Sequence, residues 1–483
     1  MKLILNLIAT VLIFLLSPSF ALQAAKDKIV VYPAPKGETL NTDYKVSVSG
    51  RSLPVYTAKI AANDKPYQFD GISDIKNSHK FFDNAAFAYF DLEGKATVTV
   101  TIPIEVASAK ILPASAGIKP VIKGRTITFS VSKPINLTIE LNGVWVKSLH
   151  LFVNPIEVNP PEPNDPDVIY FGPGIHEISR LEVGDNKTVY LAGGAILRAV
   201  IDPKEKYWVN STDSMRNYPP SISLQGRNIK IRGRGILDAS GCTTHARNLL
   251  FVKGRNIQIE GIILRDPSTW AVPIRQSDSV TVDNIKILGY RANSDGIDIC
   301  NSRDVTVRNC FLRTMDDLVV VKADKDQGHV AGILVTGCIL WNQLAHALSI
   351  GAELRDNVDD VLFKDCDIIR DKGREWSLRV YQCDAGLVSN VRFEDIRIEE
   401  SHKFISLWIG KAIWSRDKDY GNIKNIVFKN ITASGDPLTI TLQGHDDLHG
   451  INGVSFENVS TNGLKLNKSQ IQDNAAVQGM TIK

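Results

Sequence analysis

A short phrase, apolar–variable–apolar followed by two polar or small residues, returns nine times from residue 228 onward. Its copies open at Asn228, Asn256, Ser279, Asp304, Gly332, Asp360, Asn390, Asn425 and Gly453, at intervals of 28, 23, 25, 28, 28, 30, 35 and 28 residues. The units are rich in Val and Ile and lack the 3.6-residue periodicity of an amphipathic helix, so none can bury its apolar face alone. They have to stack, and stacking makes a solenoid. With Asn at the bends the pattern fits a parallel β-helix, whose successive coils pair as strands about 4.8 Å apart. Equal offsets in sequence then become columns in space.

The ends and the composition narrow the class. Residues 1–21, MKLILNLIATVLIFLLSPSFA, carry Lys2, a short apolar core and a small-residue exit at Ser19 and Ala21. That is the pattern of a cleavable secretory signal peptide, so the mature protein is expected to be secreted, periplasmic or extracellular. No later stretch is long and apolar enough for a membrane span. A net charge of +3 on 483 residues gives no support for a nucleic-acid partner and leaves an acidic substrate open. Of six cysteines, Cys310, Cys338 and Cys366 each stand five residues after the anchor of consecutive repeats, which predicts an interior ladder of thiols. No CxxC or Cys/His pair has zinc-ligand spacing, so no metal is expected.

The chain divides into four parts. After the signal peptide, residues 22–155 hold segments of strict alternation: KATVTVTIPI from Lys95, GRTITFSVS from Gly124 and INLTIELNG from Ile135. These read as half-buried antiparallel strands of a small β-sandwich. Residues 156–167 form a proline-rich linker, and residues 168–475 the solenoid. The fold class is therefore all-β. GRGILDASG from Gly233 lacks the strand–helix context of a phosphate loop and reads as a coil bend.

Offsets also gather chemistry. With Val280, Val305, Ile333 and Val361 as anchors, Asp295 lies 15 residues on, Asp316 and Asp317 lie 11 and 12 on, His346 13 and Arg379 18. All five fall in the second half of their coils, on one side of the solenoid. Carboxylates one coil apart stand roughly 5–9 Å apart, and inverting glycosidases need two at about 6.5–9.5 Å, one to protonate the leaving oxygen and one to activate water. Crowded like charges also raise a carboxyl pKa. Asp equally caps backbone N–H groups in turns, and Asp298 is read as such a structural residue.

At these residues a resemblance emerges. NSDGIDI (293–299), MDD (315–317), AHALSIG (345–351) and LRV (378–380) resemble, in order, four motifs of the family 28 polygalacturonases. The resemblance implies a right-handed β-helix and metal-free, cofactor-free hydrolysis with inversion. It implies Asp316 as general acid, Asp295 and Asp317 holding and activating water, and His346 supporting the acid. Where that family has a lysine this chain has Tyr381, and His346 is flanked by alanines in place of glycines. The N-terminal sandwich followed by IYFGPGIHEI and VYLAGGAIL is similar to the family 49 dextranases and isopullulanases, which act on neutral α-glucans.

Asn293, Arg379, Tyr381, Trp376 and Lys322 are the expected substrate-binding residues. Trp376 is favoured among five solenoid tryptophans because it sits three residues from Arg379, and Lys322 because it could swing toward a sugar carboxylate. The excursion from Ser401 to Asn425, with Trp408 and Trp414, reads as a wall of the cleft, and His445, Asp446 and Asp447 as a rim loop. The expected partner is a poly- or oligosaccharide with α-linkages. Two other classes stay open: a polysaccharide lyase, which would need a basic proton abstractor, and a non-catalytic glycan-binding solenoid.

Overall fold

The computed structural model describes residues 27–61, 82–211, 214–371 and 373–483, so the expected signal peptide lies outside the described residues. From Val168–Phe171 to Val477–Ile482 the strands join into one sheet system in which almost every pairing is parallel and links successive coils. This is a right-handed parallel β-helix. The repeat anchors Ile229, Ile257, Val280, Val305, Ile333, Val361, Val391, Ile426 and Val454 stand in unbroken register, all buried.

The bend explains the polar start of each repeat. All nine opening residues have φ between 51° and 74°, a left-handed conformation that costs most L-residues about 1–2 kcal/mol and suits Asn, Asp and Gly best. Stacked amides link the coils there, with Asn256 Nδ2 donating to Asn228 Oδ1 at 2.8 Å and Asn425 Nδ2 to Asn390 Oδ1 at 3.2 Å. Inside, Phe363, Phe393, Phe428 and Phe456 stack at centroid spacings of 4.9, 5.0 and 5.2 Å. Cys310, Cys338 and Cys366 form the expected ladder of free, buried thiols. Gly233 sits at a coil bend, where an added Cβ would lie 2.0 Å from the Leu191 carbonyl.

The N-terminal part is two sheets over a common core. One contains Arg51–Leu53, Lys45–Val48, Ala96–Thr101, Thr126–Val131 and Val121–Lys123, all antiparallel. The other contains Lys28–Val30, Tyr56–Ala61, Phe82–Glu93, Val144–Pro155, Ile135–Leu141 and Ala109–Leu112. Two expectations are corrected here. Phe82–Glu93 and Val144–Pro155 pair in parallel. Ile135–Leu141 is buried on both faces and not half-buried, because its sheet lies between the other sheet and the flank of the β-helix.

That flank is locked by mixed contacts. Tyr56, Phe87 and Phe152 pack on Phe311, Ile339 and Trp341. Beside them Arg234 meets Asp91 at 2.9 Å, Arg370 meets Glu140 at 2.7 Å and Arg265 meets Glu38 at 2.6 Å. Buried pairs of this kind add little net stability, but losing one partner strands a charge, so they fix the docking. No helix among the described residues is long and apolar enough to cross a membrane.

Candidate active site

One outer side of the β-helix breaks the repetition. The strands Ile297–Cys300, Val319–Ala323, Leu348–Leu354 and Leu378–Gln382 stack in parallel, with Ile297, Val319, Leu348 and Leu378 in register. Asp295, Asp317, His346 and Trp376 each stand two residues before those four. Val272 heads the preceding coil in the same register, and Trp270 stands two residues before it. A single column therefore reads Trp270, Asp295, Asp317, His346, Trp376. The tight entry at Asp295 requires Gly296, since a Cβ there would lie 2.4 Å from both the Leu318 carbonyl and Leu312 Cδ2.

Asp295, Asp316 and Asp317 each offer an oxygen within 4.8 Å of the others. That is tighter than the 5–9 Å expected from coil spacing, because the Asp side chains converge. Among the described residues this is the group whose donor atoms could surround a metal ion; Lys322 Nζ, 3.5 Å from Asp295 Oδ2, supplies positive charge beside it.

Hydrogen bonds set His346. Its Nε2 faces Arg379 Nη1 at 2.8 Å, and a guanidinium only donates, so Nε2 must accept. The ring proton is then on Nδ1, which donates to Asp317 Oδ1 at 2.5 Å, and the His346 backbone N–H donates to the same oxygen at 3.2 Å. Burial, then the Arg379 charge, pulls the imidazole down to about 3, so it is neutral. His346 thus donates both of these hydrogen bonds to Asp317, the neighbour of the acid that the resemblance implies it supports. Arg379 is itself held by Glu375 at 2.5 Å and lies 3.6 Å over the Tyr381 ring.

The carboxyls are shifted together. Burial, then the charge of Asp317, pushes Asp316 up to about 6. Burial raises Asp317 to about 7 against the pull of Lys322. Asp295 is raised well above the usual range by burial and by Asp298 and Asp316. Their surroundings differ nonetheless. Asp317 faces the His346 donors and Asp295 faces the Lys322 ammonium, whereas Asp316 Oδ1 receives one backbone N–H, from Asp317 at 3.0 Å.

The trio opens into a cavity of about 200 Å³, whose lining also includes Asn293, His346 and Tyr381. Three expectations change. Asp298 is not in a turn: it lies within Ile297–Cys300, fully buried, 3.2 Å from Lys322. Lys322 is not free to swing. Its Nζ sits among Asp295, Asp298 and Glu353 and 3.8 Å over Trp270; burial pulls its pKa down, but these carboxylates more than offset that and hold it well above the usual lysine range. Trp376 is not among the lining residues, and Arg379 and Lys403 stand over its ring at 4.7 and 4.5 Å; the tryptophans that line the cavity are Trp270 and Trp414.

Trp408 lies in the strand Arg397–Ile409, 5.2 Å from Tyr381, so the wall is built by the later part of its excursion. His445, Asp446 and Asp447 do not line the cavity. Glu353 and Glu375 line it and escape sequence reasoning. Glu353 emerges where the register slips, with Gly351, Ala352 and Glu353 opposite Lys322 alone. Its sequence trace is a charge inside the apolar run LSIGAEL, and that of Glu375 is its place four residues before Arg379.

Residues 217–480 match the model of glycosyl hydrolases family 28. The chain belongs to that family of glycoside hydrolases. A probable polygalacturonase of Arabidopsis thaliana is 24% identical over 251 residues, 49% of this chain and 46% of that one; the chain spans about half the length of the curated relatives it matches. Two solved structures share the fold. An exopolygalacturonase from Thermotoga maritima aligns with TM-score 0.55 and 17% identity over 65% of this chain and 82% of its own. Dex49A from Penicillium minioluteum aligns with TM-score 0.62 and 14% identity over 94% of this chain and 96% of its own, so the family 28 β-helix here carries an N-terminal part of matching fold.

Proposed function

We propose that this family 28 protein is an exported, inverting hydrolase of an α-linked poly- or oligosaccharide. The observation that carries it is the convergence of three carboxyls, two buried and one half-buried, in the lining of an open cavity, with the donors of His346 on one of them. Asp316, raised to about 6 by burial and the Asp317 charge, acts in its protonated form below that value and gives its proton to the glycosidic oxygen as the bond to the anomeric carbon breaks. Asp317 and Asp295, each facing a donor or a cation, hold a water and take its proton as it attacks that carbon from the opposite side. His346, fixed as the Nδ1–H tautomer, orients Asp317 and favours its ionised form, and Arg379 holds His346.

Inversion rests on the resemblance, since oxygens this close do not by themselves distinguish an inverting pair from a retaining one. Proton NMR of the first product decides it: the opposite anomer is expected, and a retained configuration or a trapped glycosyl-enzyme would refute it. For the acid, Asp316→Asn is expected to fold and to lose at least about a hundredfold in turnover. Full activity in that variant would sink the assignment.

Two substrates have support. The names of the curated relatives point to a galacturonan. A neutral α-glucan is favoured by the full-length likeness to Dex49A and by the charges at the cleavage point. There Tyr381 replaces the lysine, Lys322 is held by three carboxylates, and Arg379 is held by Glu375. A sugar carboxylate placed there meets no unpaired cation from these three, and losing one charge-assisted contact costs about 1.5–3 kcal/mol. Specificity constants on polygalacturonate and dextran oligosaccharides separate the two.

A further inference from the structure

The seven tryptophans divide by what stands against their rings. Trp145, Trp270, Trp341, Trp376 and Trp408 each have a cation or another aromatic ring on them. Trp208 and Trp414 have neither among the described residues, and they are 55% and 39% exposed. Trp414 belongs to the lining of the catalytic cavity. Trp208 does not: it stands on an antiparallel ribbon of two short strands, Trp208–Val209 and Arg216–Asn217.

Register fixes where the ribbon stands. It grows from the connection between Ala195–Ala199 and Ile222–Gly233. The first strand belongs to the column that runs on through Ile236, Ile263, Lys286 and Phe311, and the second opens the column Ile222, Leu250, Val272, Ile297. The same connection carries Asp295 and Asp317 in later coils, so the ribbon stands three coils before Asp295, roughly 14 Å along the solenoid. Its stem is fixed. Buried Arg247 meets Glu205 at 2.5 Å, donates to the Val200 carbonyl at 3.1 Å and lies 5.6 Å from the centre of the Tyr218 ring. Asn217 Nδ2 donates to the His245 carbonyl at 2.5 Å. Beside Trp208, Tyr207 is also exposed, with Arg216 4.5 Å and Tyr218 5.8 Å from its ring. Large rings on a fixed stem lose little freedom on binding, and the C–H face of a sugar packs on such a surface. Tyr207 and Trp208 precede residues 217–480, so these rings lie outside the segment that matches the family.

We propose that this ribbon is a distal glycan platform, on which Trp208, with Tyr207 beside it, packs against the sugar rings of a chain that runs on from the cleavage point. The inference rests on the hydrolase reading above and deepens it: the substrate is a long polysaccharide chain, held at a second place three coils from the carboxyls. The occupant is the substrate's own chain because the ribbon and the catalytic residues rise from one row of connections. Trp208 acts on chain length and leaves the chemistry at the carboxyls alone.

Binding tests it apart from catalysis. The inactivated Asp316→Asn protein is titrated calorimetrically with long dextran and long polygalacturonate, and with isomaltotriose and trigalacturonate as probes too short to reach the ribbon. One of the two polymers is expected to bind more tightly than its own trisaccharide. Adding Trp208→Ala should remove about three- to tenfold of that advantage, the scale of one stacked ring, and leave the trisaccharide unmoved. Trp208→Tyr should recover part of it. The loss should be the same at low and at high salt, which separates ring contact from pairing with the exposed Lys206 and Arg216. The proposal is overturned if neither polymer outbinds its trisaccharide, if Trp208→Ala leaves polymer binding unchanged, if the trisaccharide weakens by the same factor, or if the loss vanishes at high salt. Failure of the hydrolase reading shows separately, as an Asp316→Asn variant with undiminished turnover.

Discussion

Each coil of this β-helix has two kinds of column, and they obey opposite rules. On the bend side and in the interior, like sits on like: Asn on Asn, Cys on Cys, Phe on Phe. On the cleft side, unlike sits on unlike: Trp270, Asp295, Asp317, His346, Trp376 descend coil by coil at one register position. Identical neighbours 4.8 Å apart are good for stability when they are apolar rings or self-pairing amides and bad when they are carboxylates. A solenoid built for stability alone would repeat, so the column that does not repeat marks where stability has been traded for chemistry.

The largest expected effect comes from the repeating side. Phe393 is fully buried between Phe363 and Phe428 at 4.9 and 5.0 Å. Phe393→Ala should cost about 3–5 kcal/mol in unfolding free energy. Where the variant stays folded, its pH profile of turnover should match the parent's. A shifted profile would mean that the interior stack and the cleft are coupled and that the contrast between columns is false.

On the cleft side the sign should reverse. Asp316 is raised to about 6 in the folded protein from an ordinary value of 3.8, so the native state binds more protons than the unfolded one between these values. Its contribution to stability is fully present below about pH 4 and lost as pH rises through 6. Asp316→Asn removes that penalty. At pH 8 the variant should be more stable by ~1–3 kcal/mol while having lost its turnover. Denaturant melts at pH 4 and pH 8 check it, and a variant less stable than the parent at pH 8 would contradict it.

Much of this contrast is legible in the sequence. The repeating columns announce themselves, because the anchors, the Asn bends and the Cys ladder sit at constant offsets from one another. The cleft column is less visible. Counted forward from the anchors, its members lie at offsets from 12 to 15, since the intervening bends differ in length. Counted back from the following strand, Asp295, Asp317 and His346 all fall at the same step, but that strand start is known only once the register is. The misreadings share this origin. Asp298 looks like a turn residue until Ile297–Cys300 is seen to be a strand, and Lys322 looks mobile until Glu353 is brought onto it by a register slip. Ile135–Leu141 looks half-buried because nothing in its alternation says that a second body covers its outer face.

A smaller effect separates His346 from the acid. The imidazole is held down to about 3 by burial and Arg379, so it should not titrate where an ordinary histidine does. An alkaline fall of kcat/KM is therefore expected near pH 6 and assigned to the carboxyls, with activity lost as pH rises through the Asp316 value. His346→Gln should lower kcat by about ten- to a hundredfold, the value of one hydrogen bond to a charged group, and leave that alkaline limb in place. Disappearance of the limb in the variant would transfer the titration to His346.

The smallest effect tests the bend ladder, and it needs two substitutions at one position. Asn256 has φ 55° and donates its amide to Asn228 at 2.8 Å. Asn256→Ala places a Cβ without a polar tip in the left-handed region and leaves the Asn228 amide oxygen to water. Asn256→Gly removes the same amide but relieves the backbone. If strain dominates, Ala should cost about 1–2 kcal/mol and Gly a few tenths. If the amide link dominates, the two should cost nearly the same, about 0.5–1.5 kcal/mol, the net worth of an exposed hydrogen bond at most. The backbone reading is favoured because Ser279, Asp304 and Asp360 hold the same φ, 60°, 51° and 52°, in the same column without being asparagine. What the column repeats is a conformation, and the amide ladder forms where asparagine happens to supply it. Urea midpoints of the two variants, at unchanged m-value, decide between them.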